Sequence, residues 1–178
     1  RYKFIKGFEE GVLNFYSIKK DNITNSTLII DDFKVQEVPV LAKLLTLASL
    51  QGIADLLTGE GIRFTDLEMK FINKDGLMTI EEMYAIGPAI SILMEGYIES
   101  KKLISLRGTL VPATTINRSI ASIPLIGNIL VGKKIGEGVF GVSFKVNGPP
   151  DDLKTIVNPI KTLTPRFITR TLEKIKKN

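Results

Sequence analysis

The strongest constraint on this chain is alternation. Between residues 140 and 146 every second residue is large and apolar (Phe140, Val142, Phe144, Val146), while Gly141, Ser143 and Lys145 are small or polar. Successive side chains of a strand point to opposite faces, so such a stretch has one oily side and one wet side. Leu67, Met69 and Phe71 repeat the pattern against Glu68 and Lys70. The turn-forming run Asn73-Lys74-Asp75-Gly76 follows, and Leu77 to Met83 runs back, which predicts a β-hairpin. Ile90, Ile92 and Met94 mark a further strand, and Leu103 to Val111 another after the turn-like Ser100-Lys101-Lys102. Gly11 to Ile18 and Thr27 to Val35 read the same way. Strands of this kind assemble into antiparallel sheet with one apolar face.

Helices interrupt the strands. Pro39 to Leu57 opens with proline at a first-turn position, ends at Gly59, and is apolar on most sides. Pro39, Lys43 and Gln51 fall within the short run between Glu37 and Asp55, which suits it poorly to crossing a membrane. Two readings stand: a buried core helix, or a cover that closes an apolar groove through Leu41, Leu44, Leu47 and Leu50. A short helical stretch is expected at Thr115 to Ser122, and a last helix at about 165–177. With 178 residues, 44% of them apolar, the chain can bury a core of its own, and no repeat or linker divides it. The expected architecture is a single α+β domain over 1–178. It has a curved, mostly antiparallel sheet with two or three helices packed on or closing the concave face. The chain begins at Arg1 and not Met, which suggests an excerpt of a longer protein.

Catalytic chemistry finds little footing. Without Cys or His there is no thiolate nucleophile, no disulfide, and none of the commonest general bases or metal ligands. Gly127 to Lys133 spells G-x-x-x-x-G-K, but the next residue is Lys134 where a phosphate loop needs Ser or Thr. A strand follows it instead of a helix, and its interior, Asn128-Ile129-Leu130-Val131, is too bulky for close approach to an anion. The acidic doublets Glu9-Glu10, Asp31-Asp32, Glu81-Glu82 and Asp151-Asp152 would point their members to opposite faces of a strand. No enzyme, cofactor, metal or nucleotide is therefore expected.

The net charge of +5 sits in the tail. Residues 161–178 hold six basic groups against Glu173, leaving 18 basic and 18 acidic groups in the remainder. A neutral body gives no nucleic-acid face. On a helical projection Ile168, Leu172 and Ile175 form an apolar stripe, and Arg166, Arg170, Lys174 and Lys177 follow on another side. Such a helix either lies on an anionic membrane surface or docks on its own sheet with its cations solvated.

Longer stretches carry a resemblance. Residues 31–64 (DDFKVQEVPVLAKLLTLASLQGIADLLTGEGIRF) resemble the C-terminal region of AsmA-like bacterial envelope proteins. The likeness continues through GPAISILMEGYIE (87–99), LRGTLVPATTIN (106–117), IPLIGNILVGKKIGEGVFGVSFKVNGP (123–149) and NPIKTLTPRF (158–167). The chain departs from that pattern at Asp152-Leu153-Lys154, where a proline is usual, and at Arg166, where a glycine is usual. The resemblance implies a non-catalytic, phospholipid-conducting module at the distal end of an inner-membrane-anchored periplasmic protein, akin to chorein-type bridges and supporting outer-membrane integrity. It implies a trough for acyl chains, for which the alternating positions Leu67, Met69, Phe71, Ile90, Ile92, Met94, Phe140, Val142, Phe144 and Val146 are the candidate lining. The terminal helix would meet an anionic membrane or an outer-membrane or periplasmic protein. The alternative is a scaffold that docks envelope proteins and carries no lipid.

Overall fold

The computed structural model describes residues 7–113, 141–160 and 164–175. Among them eight strands form one antiparallel sheet in chain order: β1 (Phe8–Lys20), β2 (Ile23–Val35), β3 (Ile62–Lys74), β4 (Leu77–Ile86), β5 (Ile90–Glu99), β6 (Leu103–Pro112), β7 (Gly141–Gly148) and β8 (Lys154–Ile160). Helices α1 (Pro39–Leu47) and α2 (Gln51–Thr58) lie between β2 and β3, and α3 (Pro165–Ile175) follows β8. Among the described residues the sheet is open, with β1 bonded only to β2 and β8 only to β7. The fold is α+β, as the alternation predicts. Of the expected elements, Thr115 to Ser122 lies outside the described residues, as do Gly127 to Lys133 and Phe140. No described helix is long and apolar enough to cross a membrane.

Local chemistry sets the turns and bends. Lys74 pairs with Leu77, leaving Asp75 and Gly76 as a two-residue turn with φ of +49° and +83°. Two consecutive left-handed residues are what the twist of a tight hairpin requires. The register shifts at Lys70/Phe71 on β3, leaving Glu81 as an extra residue on β4. That bulge keeps Ile80 and Met83 on one face despite their odd spacing. In β2, Ile30 and Phe33 are also both buried despite their odd spacing, with Asp32 at φ +49° between them and no shift of register on either side.

The expected single helix from Pro39 to Leu57 is two. Leu50 N–H donates to the Leu45 carbonyl and Ser49 N–H to that of Thr46, with Ser49 at φ +58°. This is a Schellman ending, with Leu50 as its following apolar residue. Serine fills the left-handed position that glycine usually marks, so the stop carries no obvious sequence signal.

Helix α1 also reports the curvature of the sheet. It lies against β8, and Lys43 Nζ donates to the Leu153 carbonyl at 3.4 Å. Lys43 is only eight residues beyond Val35, a reach of at most about 20 Å of main chain. In a flat sheet β2 and β8 would be about 29 Å apart. Closing that gap on a flat sheet would need the connection, the helix and the lysine side chain all at full stretch across the strands, whereas Val38, Val40 and Leu41 pack down on the cluster; the sheet curls around the helices, with its apolar face inward. There Leu28, Phe33, Phe64, Leu67, Leu110 and Val146 share one buried cluster with Leu44, Leu45, Ala54 and Leu57.

The cover uses other residues than a strict three-residue repeat suggests. Leu44 and Leu45 are buried, Leu41 and Leu50 are partly buried against the cluster, but Leu47 is 47% exposed. Each step of three residues falls 60° short of a full turn, so the series starting at Leu41 has rotated away from the core by Leu47. The working stripe is Leu41, Leu44, Leu45 and Ala48. Leu45→Ala or Leu57→Ala is expected to lower stability by about 2–5 kcal/mol, because each leaves a cavity in a fully buried site. Leu47→Ala should change it by less than about 0.5 kcal/mol. Urea unfolding of the three variants checks this, and equal losses at all three positions would contradict the assigned face.

Candidate functional site

The register turns the alternating positions into continuous rows. One runs across all eight strands as Leu13, Ile30, Leu67, Ala85, Ile92, Leu110, Val142 and Pro159. The next runs as Phe15, Leu28, Met69, Met83, Met94, Gly108, Phe144 and Val157. A third contains Ser17, Ser26, Phe71, Ile80, Gly96, Leu106, Val146 and Thr155. Directly opposed residues of an antiparallel pair share a face, so all three rows line the concave side. Leu67, Met69, Phe71, Ile92, Met94, Val142, Phe144 and Val146 are thereby brought together, and Ile90 stands one row beyond, opposite Pro112.

Exposure varies along these rows. Leu67, Phe71, Ile90, Ile92, Val142, Phe144 and Val146 are buried under α1 and α2 or among their neighbours. Met69, Met83 and Met94, adjacent in the middle row, are only half-buried. All four methionines of the chain, Met78 included, pack against this concave cluster. Unbranched and polarisable, methionine refits its surroundings more readily than Leu or Val. At β1 the cover ends: Leu13 is 50% exposed and Phe15 54%, although Phe15 stacks on Phe71 at 6.3 Å. The apolar surface therefore continues past its helical lid onto a bare strand. At Gly108 the missing side chain gives Phe144 its place, since an added Cβ would stand 2.6 Å from the ring.

The outer face carries the acidic residues of β3 to β5 and the helix α3. Phe167 is fully buried there against Tyr84 and Val111, with the rings of Phe167 and Tyr84 edge to face at 6.0 Å. Thr171 Oγ1 donates to the Phe167 carbonyl at 2.9 Å, so in the 2.9 Å contact between the two hydroxyls Tyr84 is the donor. The basic residues expected to face outward turn back to the sheet. Arg170 reaches Glu68 at 3.3 Å and Glu82 at 2.6 Å. Arg166 pairs with Glu82 and, at 3.0 Å, with Glu95, which also takes Arg107 at 2.7 Å. For Arg166 and Arg170, docking on the domain's own sheet is what the geometry gives, with their charges paired instead of solvated. Lys174 belongs to α3, and Lys177 lies outside the described residues. The sequence offered a hint of this in Glu68, Glu82 and Glu95, which fall on the outward parity of their strands.

Beside this network lies an open cavity of about 350 Å³ between β5, β6, β7 and the start of α3, lined by Leu93, Arg107, Ser143, Thr164 and Arg166 among others. Its two cations, Arg107 and Arg166, are both paired with Glu95. Among the described residues no cluster of three or more His, Cys, Asp or Glu could hold a metal ion.

Burial would raise the Glu68 carboxyl, but Lys70 and Arg170 outweigh it and hold the group below the ordinary glutamate range. Burial likewise raises the Tyr84 hydroxyl. A carboxyl whose value is lowered on folding contributes stability above its unfolded value, and loses it as pH falls through the folded one. Docking of α3 should thus weaken in acid, and Glu68→Gln should flatten that limb of the stability curve. Replacing Glu68 and Glu82 together by Gln should speed amide exchange over 165–175 by about tenfold while β4 to β6 stay protected. Unchanged exchange would show that the apolar contacts of Phe167 suffice alone.

No protein-family model matches the chain, and no curated protein or solved structure matches it. The functional reading rests on the chain's own geometry and on the sequence resemblance given above.

Proposed function

We propose that this chain is a non-catalytic lipid-binding module of the AsmA-like kind, conducting phospholipid acyl chains along the concave face of its sheet. In this reading it is the periplasmic, distal part of an inner-membrane-anchored protein, and its traffic between the two membranes supports the outer one. One observation carries the proposal: two rows without a polar side chain cross all eight strands, a third is apolar through its middle strands, none holds a charge, and the first two emerge uncovered at Leu13 and Phe15. Exposed apolar surface of this continuity is costly in water and suits a ligand with a long hydrocarbon tail. Each methylene moved from water onto such a surface gains about 0.8 kcal/mol. The contact has no direction, so a chain can slide along a row without breaking hydrogen bonds. The half-buried Met69, Met83 and Met94 give the middle row the adaptability that mixed acyl chains demand.

The scaffold reading draws on a different feature, the edge of β1 that no described strand pairs, and predicts protein partners with no lipid. The two separate in one experiment. Protein purified without detergent is extracted for lipid, and photo-crosslinking residues are placed at Phe15, Met69 and Lys145. Phospholipid should co-purify, with acyl chains captured at Phe15 and Met69 but not at Lys145, which is exposed on the outer face. Lipid-free protein, or equal labelling at all three positions, would leave the scaffold as the better account.

A further inference from the structure

Antiparallel strands in chain order send alternate turns to opposite ends of the sheet. Those joining β1 to β2, β3 to β4 and β5 to β6 share one end, and they leave from a single row. Lys20 opposes Ile23, Ile23 opposes Lys74, Lys74 opposes Leu77 and Leu77 opposes Glu99. Beyond that row the turns are only two or three residues long (21–22, 75–76 and 100–102), so the three tips end close to one level.

That level is basic and apolar together. Residues 19–21, 74–76 and 99–102 hold five lysines against three acids, and one of the acids, Glu99, is taken by Lys102 at 2.6 Å. Lys19, Lys20, Lys74 and Lys101 are exposed and form no ion pair among the described residues. Ile23 and Leu77 share the row of Lys20 and Lys74 on the outer face and are exposed there. Ile18, 75% exposed, and the exposed Tyr97 stand in the next row of that face. The opposite ends of β1 to β3 carry the reverse charge: residues 8–10, 31–35 and 60–66 hold six acids against Lys34 and Arg63. The fourth turn at the basic end, 149–153, carries Asp151 and Asp152, so the feature belongs to β1 through β6.

We infer that this turn end is a docking surface for an anionic lipid bilayer, which β1 to β6 meet with their strands upright. Two features select a bilayer. A nucleic acid or acidic protein would use the cations but leave Ile18, Ile23 and Leu77 in water, whereas a bilayer layers phosphate over hydrocarbon and takes both. Lysine stems lie along apolar neighbours with their ammonium groups at phosphate height, and a tyrosine suits the same boundary. The acidic far end completes the match, because the field of an anionic surface repels it and turns the lysines inward. The cations of α3 are engaged by Glu68, Glu82 and Glu95, while those of the turns are not. In this pose the concave rows run parallel to the bilayer, with Met78, Ile98 and Ile104 in the row nearest it. The inference stands on the turns and not on lipid carriage: protein that binds vesicles yet co-purifies without lipid would keep this surface and remove the trough.

The chain has no tryptophan, so a single introduced one reports its own surroundings. With vesicles of phosphatidylcholine and phosphatidylglycerol, Leu77→Trp should shift its emission to the blue and be quenched by brominated acyl chains. Val12→Trp, exposed on the same face toward the other end of β1, should do neither. The unmodified chain should co-sediment with these vesicles at low salt, and far less with phosphatidylcholine alone. Lys20→Gln and Lys74→Gln should each weaken binding about fivefold, and about 25-fold together, with added salt acting in the same direction. Ile23→Ser with Leu77→Ser should also weaken it while the melting temperature holds, because both positions are exposed. Absence of co-sedimentation with anionic vesicles overturns the inference, as does binding indifferent to the two lysines or an equal shift from both tryptophans. RNA held as tightly as vesicles, with no effect of the serine pair, overturns it too, since the surface would then read phosphate alone. Thermal melting of each variant separates loss of binding from loss of fold.

Discussion

Everything in this molecule depends on the register of one antiparallel ladder. With a side-chain period of two, sliding any strand by a single residue would turn its apolar set outward and its acidic set inward. The ladder runs through seven strand pairs, and the positions where periodicity alone would break it are repaired locally. The extra residue at Glu81 realigns Ile80 with Met83, and Asp32 turns left-handed between the buried Ile30 and Phe33 with the register unbroken. Hydrophobic burial and hydrogen bonding thus agree along the whole sheet. That agreement lets the same register produce two chemically opposite faces, one able to hold hydrocarbon and one carrying Glu68, Glu82 and Glu95.

The two faces are covered by different physics. On the concave side, α1 and α2 bring apolar side chains alone to the cluster, and the curl of the sheet brings β8 within reach of a helix that starts beside β2. On the outer side, the described side chains of α3 include the fully buried Phe167, joined by charges and hydroxyls. Apolar contact is insensitive to salt, whereas partly exposed ion pairs weaken with it. The concave cover is therefore the permanent one, and α3 is the attachment that solution conditions can loosen.

Much of this architecture is legible in the sequence. The Asp75-Gly76 turn, the strand starting at Leu103 and the rows built on Leu67, Ile92 and Val142 follow from period and turn chemistry. What is not legible has specific causes. Strand β8 lacks clean alternation and contains Pro159, so nothing in Lys154 to Ile160 announces it. The break at Ser49 uses serine where glycine is expected, which fuses two helices into one. Leu47 joins the cover only if the helix is read with a period of three, and Leu45 is missed by the same error. Arg166 and Arg170 read as free cations because their partners lie far back in the chain, on strands whose outward parity matters only once the sheet is assembled.

The apolar rows show why a covered core and an open trough need not be different designs. Ile30 and Leu67 belong to the same row as Leu13, and Leu28 to the same row as Phe15; the β2 and β3 members are buried, while those on β1 are half exposed. No change in chemistry marks the boundary, only the point where the helices stop. In an ordinary core a strand beyond the cover would turn polar on its inward face, as the alternation of half-wet sheets permits. Here β1 stays apolar on that face at Leu13 and Phe15, and turns polar at Ser17 and Lys19, nearer the hairpin end. A sheet that stays apolar where burial no longer rewards it needs another apolar body to meet that surface. Continuity of the rows makes hydrocarbon the simplest match for the face.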